Sequence, residues 1–170
     1  MAKKKYIPKP RPLLGLLAGL VAGIAASAAM EAFQAGASEA MSSSGDEGED
    51  DDPTTVKAAD RVMKTATGDK VPKGSRRQSG RAVHYATGAT LGAIYGVVAE
   101  FKPAAASGFG SAYGVVTALV LDEGAVPALG LSSPPWKAPV SSHGHSVASH
   151  LVYGLTLEAA RTLIGGRRPA

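Results

Sequence analysis

The sequence has no cysteine and few large aromatic side chains. It contains three Phe, one Trp and five Tyr among 170 residues, and no Cys. The lack of Cys excludes disulfides, thiolate metal sites and cysteine nucleophiles, and it leaves the redox compartment open. Few aromatic residues means few of the side chains that usually fill a soluble core. The 21 Gly instead favour close backbone packing, which is typical of membrane helices.

The sequence also lacks the local motifs of common enzyme sites. It has no Walker loop, no dinucleotide fingerprint and no nucleophile elbow. The side chains of His143, His145, His150, Asp122 and Glu123 have the right atoms for a metal ion, but nothing in the loop-like segment around them fixes a coordination geometry. We therefore expect no catalytic residues, no metal site and no cofactor, and a non-enzymatic role.

The net charge of +4 raises the question of nucleic-acid binding. The basic residues gather beside hydrophobic segments and are not interleaved with exposed aromatic residues. That distribution is typical of membrane-flanking charge, so we expect no nucleic-acid partner.

Four hydrophobic segments dominate the chain. At about 1.5 Å per residue, each is long enough to approach or cross the roughly 30 Å hydrocarbon core of a bilayer. The sequence predicts an all-α integral membrane bundle of four transmembrane helices, multi-pass in the inner (plasma) membrane, with the lipid bilayer as its partner. The predicted transmembrane helices are residues 13–36, 82–101, 104–121 and 145–164.

The remaining segments are charged or rich in Pro, Gly and Ser. Within the first loop, apolar residues at helical spacing predict a short amphipathic helix over 54–67, and the Ser/Gly-rich, strongly acidic insert 38–52 is typical of solvated chain. The only Trp, Trp136, suits a headgroup interface. The predicted segments are a basic cytoplasmic tail (1–12), a charged loop (37–81), an interfacial loop (122–144) and a basic tail (165–170).

A rival interpretation of the N-terminus is a cleavable signal peptide. The basic flank, the apolar run and the triplet Ala26-Ser27-Ala28 fit such a peptide, with a mature N-terminus at Ala29. We favour a retained helix because further membrane-length segments follow.

The orientation of the bundle is not decided by basic residues, because their numbers on the two sides are equal. We place both termini in the cytoplasm because the first helix has a dense basic flank.

Two ladders of glycine are the clearest packing signal. Residues four apart lie on one helix face, so each GxxxGxxxG ladder is a shallow groove that another backbone can enter, within the bundle or in a homo-oligomer. Gly110 and Gly114 repeat the spacing once in the third segment. The two ladders are Gly15, Gly19 and Gly23 in the first segment and Gly88, Gly92 and Gly96 in the second.

Four ionisable residues share these helix faces. His84 and Glu100 continue the second ladder at its two ends, and His150 and Glu158 lie on one stripe of the fourth segment. They could form a polar path for protons or a cation. The alternative is a structural role near the membrane ends, where a charge costs little.

Several short motifs occur in an order that resembles a known family. The resemblance, over residues 13–165, is to the YagU-like family of bacterial inner-membrane proteins. It implies several membrane helices and an unknown function, offers no catalytic residues, and does not include the acidic insert 38–52. The motifs are Thr55-Val56-Lys57-Ala58-Ala59-Asp60-Arg61, Val83-His84-Tyr85, Tyr95-Gly96, Asp122-Glu123, Val126-Pro127-Ala128-Leu129-Gly130-Leu131-Ser132-Ser133-Pro134-Pro135, and Ser149-His150-Leu151-Val152-Tyr153-Gly154.

Two functional hypotheses follow, and both leave the substrate undefined. The first is a small transporter or ion-conducting bundle that uses the four ionisable residues. The second is a membrane scaffold that binds partners through the charge blocks of residues 38–82. An enzyme that acts on a lipid or peptide is disfavoured, because no nucleophile or metal constellation is present.

Overall fold

The computed structural model describes residues 9–42 and 52–166, and every regular element in this part of the chain is helical. The all-α prediction is therefore confirmed there. Three long helices pack side by side, some pairs antiparallel and others parallel, and shorter helices connect them. They are α1 (Pro12–Ser42), α2 (Thr54–Thr67), α3 (Arg76–Phe101), α4 (Ser111–Val120), α5 (Val126–Ala128) and α6 (Val140–Leu163).

Helices α1 and α3 pack antiparallel with their backbones in direct contact. A Cβ atom placed on Gly15 would lie 2.5 Å from the carbonyl oxygen of Gly96, and at the other two levels the approach is closer still. Only glycine permits this contact, because the obstructing atoms belong to the backbone and cannot rotate away. We call these contacts the glycine seam; it pairs Gly15 with Gly96, Gly19 with Gly92, and Gly23 with Gly88.

A second close contact joins α4 to α6. A Cβ atom on Gly154 would collide with the carbonyl oxygen of Gly110, and one on Gly114 would collide with the carbonyl oxygen of His150. The weaker ladder of the third segment thus faces the fourth segment. Both pairs of helices are held by small residues.

The interior of the bundle holds many small residues together with a few large ones such as Tyr95 and Leu157, and much of its outside is apolar. Ala18, Ala22 and Ala26 of α1 are buried, whereas Leu13 and Leu17 on the same helix are 76% and 60% exposed. Helix α1, over Pro12–Glu39, is long and apolar enough to cross a membrane by length and composition, and it alone meets that test in the described part of the chain. The four-span arrangement therefore stays a prediction.

The long helices extend beyond the apolar segments that predict them. Helix α1 ends at Ser42 where residue 36 was expected, α3 begins at Arg76 ahead of 82, and α6 begins at Val140 ahead of 145. Polar residues continue a helix once it has nucleated, so hydropathy underestimates its length. Helix α2 has the same bounds as the predicted amphipathic helix 54–67, and its Val56 packs against Gly80 of α3.

The third predicted segment, 104–121, differs from the structure. Pro103–Ala106 is a 3₁₀ turn, and Gly108, Phe109 and Gly110 all have positive φ. Three consecutive left-handed residues cannot continue a right-handed helix, so α4 begins only at Ser111. The predicted loop 122–144 is also wrong in part, because a π-helical turn, Leu121–Ala125, joins α4 to α5.

The glycine seam predicts that one methyl group at its centre is destabilising. We expect Gly92→Ala to lower the free energy of unfolding by roughly 1–3 kcal/mol, since the added Cβ meets the backbone of Gly19. Gly36→Ala is the matched control, because nothing lies within 4 Å of a Cβ there, and we expect it to be neutral or mildly stabilising. Thermal unfolding in detergent compares the two; equal midpoints would refute the seam.

Candidate functional site

A cavity of about 810 Å³ lies between α1, α3, α6 and the segment that follows α4. We call the end of the bundle that contains it the loop end; the opposite, terminal end contains Arg11, Lys102 and Gly165. The volume lies in the range of small-molecule sites. Exposed residues such as Lys137 and Ser142 are part of the lining, so the cavity opens at the surface. Apolar side chains, including Met30, Val83, Leu91, Leu121, Val126 and Leu131, form most of the remaining wall.

The π-helical turn brings two consecutive carboxylates to α6. Ser146 donates a hydrogen bond from Oγ to Oδ2 of Asp122 at 2.5 Å, and Nδ1 of His143 lies 2.6 Å from Oε1 of Glu123. A π-turn adds a residue to the helical repeat, which changes the direction of the side chains that follow; such turns are frequent at functional sites. Asp122 and Glu123 both line the cavity as a result.

Two cavity histidines have their protonation pattern set by backbone carbonyls. Nδ1 of His150 lies 3.1 Å from the carbonyl oxygen of Ser146, and Nε2 of His84 lies 3.2 Å from that of Ser27. A carbonyl oxygen only accepts, so each of these ring nitrogens must donate. In the neutral ring the second nitrogen, Nε2 of His150 and Nδ1 of His84, is then an acceptor.

One buried hydroxyl at the cavity is without a hydrogen-bond partner among the described residues. Ser27 is fully buried, and its Oγ makes no hydrogen bond there. It lies against Gly88 of α3, and both residues line the cavity. A buried polar atom with no partner is uncommon and marks a place where a ligand or water completes the site.

The four ionisable residues of the predicted polar path do not lie together. His84 and His150 line the cavity, but Glu100 and Glu158 do not. Tyr153 stands between them on α6 and donates a 2.6 Å hydrogen bond to the carbonyl oxygen of Gly88. The four residues therefore do not line one continuous route in this structure.

Glu158 belongs to a buried ion pair below the cavity. Arg161 donates to both carboxylate oxygens of Glu158, from Nε at 2.8 Å and from Nη2 at 2.9 Å, and both side chains are fully buried. The hydroxyl of Tyr95 donates a third bond at 2.9 Å. In such a bidentate pair each charge compensates the other, so a structural role is sufficient to explain it.

Glu100 is also fully buried and lies at the terminal end. The backbone N–H of Arg11 donates a 2.9 Å hydrogen bond to Glu100, and the guanidinium of Arg11 donates to the carbonyl oxygen of Gly165. These hydrogen bonds connect the beginning of α1 to the ends of α3 and α6.

Sequence reasoning missed Ser27, Ser146 and Tyr153 as members of the site. Ser146 shares a stripe of spacing four with His150, which is the one signal that pointed to it. Ser27 and Tyr153 occur in motifs of the sequence analysis, but those motifs indicated no place in a site, because the roles of both residues depend on contacts between distant helices. No three His, Asp or Glu side chains of residues 9–42 and 52–166 are grouped so as to hold a metal ion; His145 stacks on Phe33 instead.

Comparison with known families recognises one domain, which supplies most of the residues that line the cavity. A family model described as "Protein of unknown function (DUF1440)" matches residues 64–159, more than half of the chain. The chain belongs to this family. The DUF1440 region includes α3, α4 and most of α6, and with them His84, Asp122, Glu123 and His150; α1 lies outside it. No curated protein and no solved structure matches the chain.

The contact between His143 and Glu123 predicts a pH dependence at the mouth of the cavity. The hydrogen bond to Glu123 raises the pKa of His143 above its ordinary 6.5. The pair therefore stabilises the folded state fully below about pH 6.5 and loses that contribution as pH rises through the folded-state pKa.

We expect the imidazole of His143 to titrate above 6.5 in an NMR experiment, and Glu123→Gln to lower its pKa because the charge is removed while an acceptor oxygen remains. The same pKa in both proteins would contradict the pairing.

Proposed function

We propose that the protein is an integral inner-membrane protein whose four helical segments enter or cross the bilayer, as the YagU-like resemblance implies, and that its cavity binds a small solute. The match to DUF1440 is consistent with that resemblance, and we infer that the two describe one family. The distribution of side chains is the observation that carries the membrane proposal.

An apolar outside around an interior that holds a buried ion pair is unfavourable in water and favourable in lipid. Leu13, Leu17, Ile94, Val116 and Leu119 are each more than half exposed, whereas the buried side chains include a complete ion pair. Monomeric soluble proteins rarely expose large contiguous apolar patches. In hydrocarbon, in contrast, exposed apolar side chains carry no free-energy penalty, and charged side chains are favoured inside the bundle.

The charges at the two ends of α3 match a membrane span. Arg81 and Lys102 bracket a stretch without Lys or Arg that, at about 1.5 Å per residue, reaches close to the roughly 30 Å hydrocarbon thickness. Arg11 and Gly165 meet at the terminal end, which supports both termini on one side. We place that side in the cytoplasm, since the basic tail 1–12 flanks it.

The glycine seam supports retention of α1. Cleavage before Ala29 would remove Gly15, Gly19 and Gly23, and with them the surface that α3 packs against. The same contact occupies both ladders within one chain, so a homo-oligomer would have to use another surface.

Cysteine labelling in cells tests the membrane arrangement on one helix, because the chain has no native Cys. We expect a membrane-impermeant maleimide to label Gln78→Cys from one side and Lys102→Cys only after the membrane is opened. Ile94→Cys, between them and 53% exposed on the bundle surface, should stay unlabelled until detergent is added. Labelling of all three in intact cells, or protein that remains soluble without detergent, would overturn the proposal.

Transport of the bound solute is the specific function that the cavity supports best. The cavity opens at the loop end and is closed below by Tyr153, the form expected of a transporter open to one side. A non-enzymatic role remains our proposal.

A flux assay in proteoliposomes tests this function. We expect proton flux above that of empty vesicles, and a several-fold loss in His150→Ala, whose ring lines the cavity. Asp69→Asn, an exposed change outside the cavity, should have no effect. Flux equal to that of empty vesicles would remove transport of protons.

The scaffold hypothesis has less support from the contacts. Arg76 is paired with Asp60 at 2.9 Å and with Asp52 at 2.5 Å, so part of the charge in the loop is used within the protein. Lys64, Lys70 and Arg77 remain exposed. Partner capture with residues 38–52 deleted separates the two hypotheses, because only a scaffold should lose its partners.

A further inference from the structure

We propose that the cavity binds a protonated organic amine with an apolar body, and that Asp122 holds its ammonium group. This inference rests on the proposed function and supplies the chemical class of the solute. The argument depends on which hydrogen-bonding groups of the cavity are already used and which are not.

Asp122 has one oxygen occupied and one available. Its Oδ2 accepts from Ser146 and lies 3.5 Å from Nδ1 of His150. No donor among the described residues bonds its Oδ1, and the side chain is 38% exposed. Asp122 lines the cavity, and a carboxylate oxygen without a protein partner is a strong site for a charged N–H donor.

The other vacant groups are acceptors as well. Nε2 of His150 and Nδ1 of His84 accept in the neutral rings, because their partner nitrogens donate to carbonyl oxygens. The hydroxyl of Ser27, which can accept as well as donate, is fully buried and has no hydrogen-bond partner among the described residues. Lys137 is a donor, but it lies exposed at the rim. An N–H donor on a ligand therefore has acceptors to bond at Asp122 and at the two histidine rings.

A bare metal ion does not fit these acceptors. No three His, Asp or Glu side chains in the described part of the chain come together as a ligand set, so the acceptors are spread around the cavity instead of converging on one point. The volume of about 810 Å³ and the apolar walls provided by Leu91, Leu121 and Leu131 accommodate an organic body. An ammonium group on an apolar skeleton meets both requirements.

Three ligands with one indole skeleton and different charge test the proposal. Tryptamine has an ammonium group, tryptophol a neutral hydroxyl and indole-3-propionate a carboxylate. We expect calorimetry on the full chain in detergent at pH 7 to give tryptamine about tenfold or more tighter binding than tryptophol, and no binding of the propionate. Equal binding of tryptamine and tryptophol, or preferred binding of the propionate, would overturn the proposal.

A charge-removing variant assigns the ammonium to its carboxylate. Asp122→Asn keeps an oxygen that can accept from Ser146 and should weaken tryptamine binding by about tenfold to a hundredfold while tryptophol is unaffected. Asp69→Asn, which removes an exposed carboxylate outside the cavity, should leave both affinities unchanged. Unaltered tryptamine binding in Asp122→Asn would refute the role of Asp122, provided that its unfolding midpoint shows a folded protein.

The outcome is independent of the membrane proposal. A chain that shows the expected cysteine labelling but does not bind tryptamine leaves the membrane proposal intact and removes the amine site. A chain that binds tryptamine in detergent but is labelled at all three α3 positions in intact cells leaves the amine site intact and removes the membrane proposal.

Discussion

The contact of bare backbone against bare backbone along the glycine seam is the constraint on which the rest of the structure depends. Because Gly19 and Gly92 have no Cβ, α1 and α3 approach as closely as two helices can. This close approach leaves no room for large side chains between α1 and α3, so Leu13 and Leu17 of α1 lie on the outside. The apolar outer surface follows from this arrangement of side chains, and so does the preference for lipid that we propose.

The cavity exists because the close packing stops at the loop end. The third segment is broken by left-handed residues at Gly108 and Gly110, and it resumes as α4 and a π-helical turn. Helix α4 contacts α6 through Gly154 and α3 through Tyr113, whose hydroxyl donates to the carbonyl oxygen of Leu91. Beyond that contact, Leu121 and the π-helical turn line the cavity. Asp122 and Glu123 lie at the edge of the cavity, where their carboxylates find partners on α6. An irregular helix thus provides both the volume and the polar groups of the candidate site.

Glu158 differs from His84 and His150 in how completely hydrogen-bond partners occupy its side chain. Glu158 receives three hydrogen bonds from Arg161 and Tyr95, so its charge is neutralised within the bundle and serves packing. His84 and His150 each use one ring nitrogen on a backbone carbonyl. Their second nitrogens remain for a ligand, which is why the cavity, and not the buried ion pair, is the candidate site.

The sequence by itself determined the helical class, the amphipathic helix 54–67 and the glycines suited to close packing, because these depend on periodicities of three to four residues within one segment. Hydropathy could not locate the break before Ser111, which depends on backbone conformation at Gly108, Phe109 and Gly110. Only the tertiary structure decided which ladder faces which, that Tyr153 separates the histidines from Glu158, and that Ser27 is buried without a partner among the described residues. Those relations join residues far apart in the chain, and no local pattern encodes a contact between distant helices.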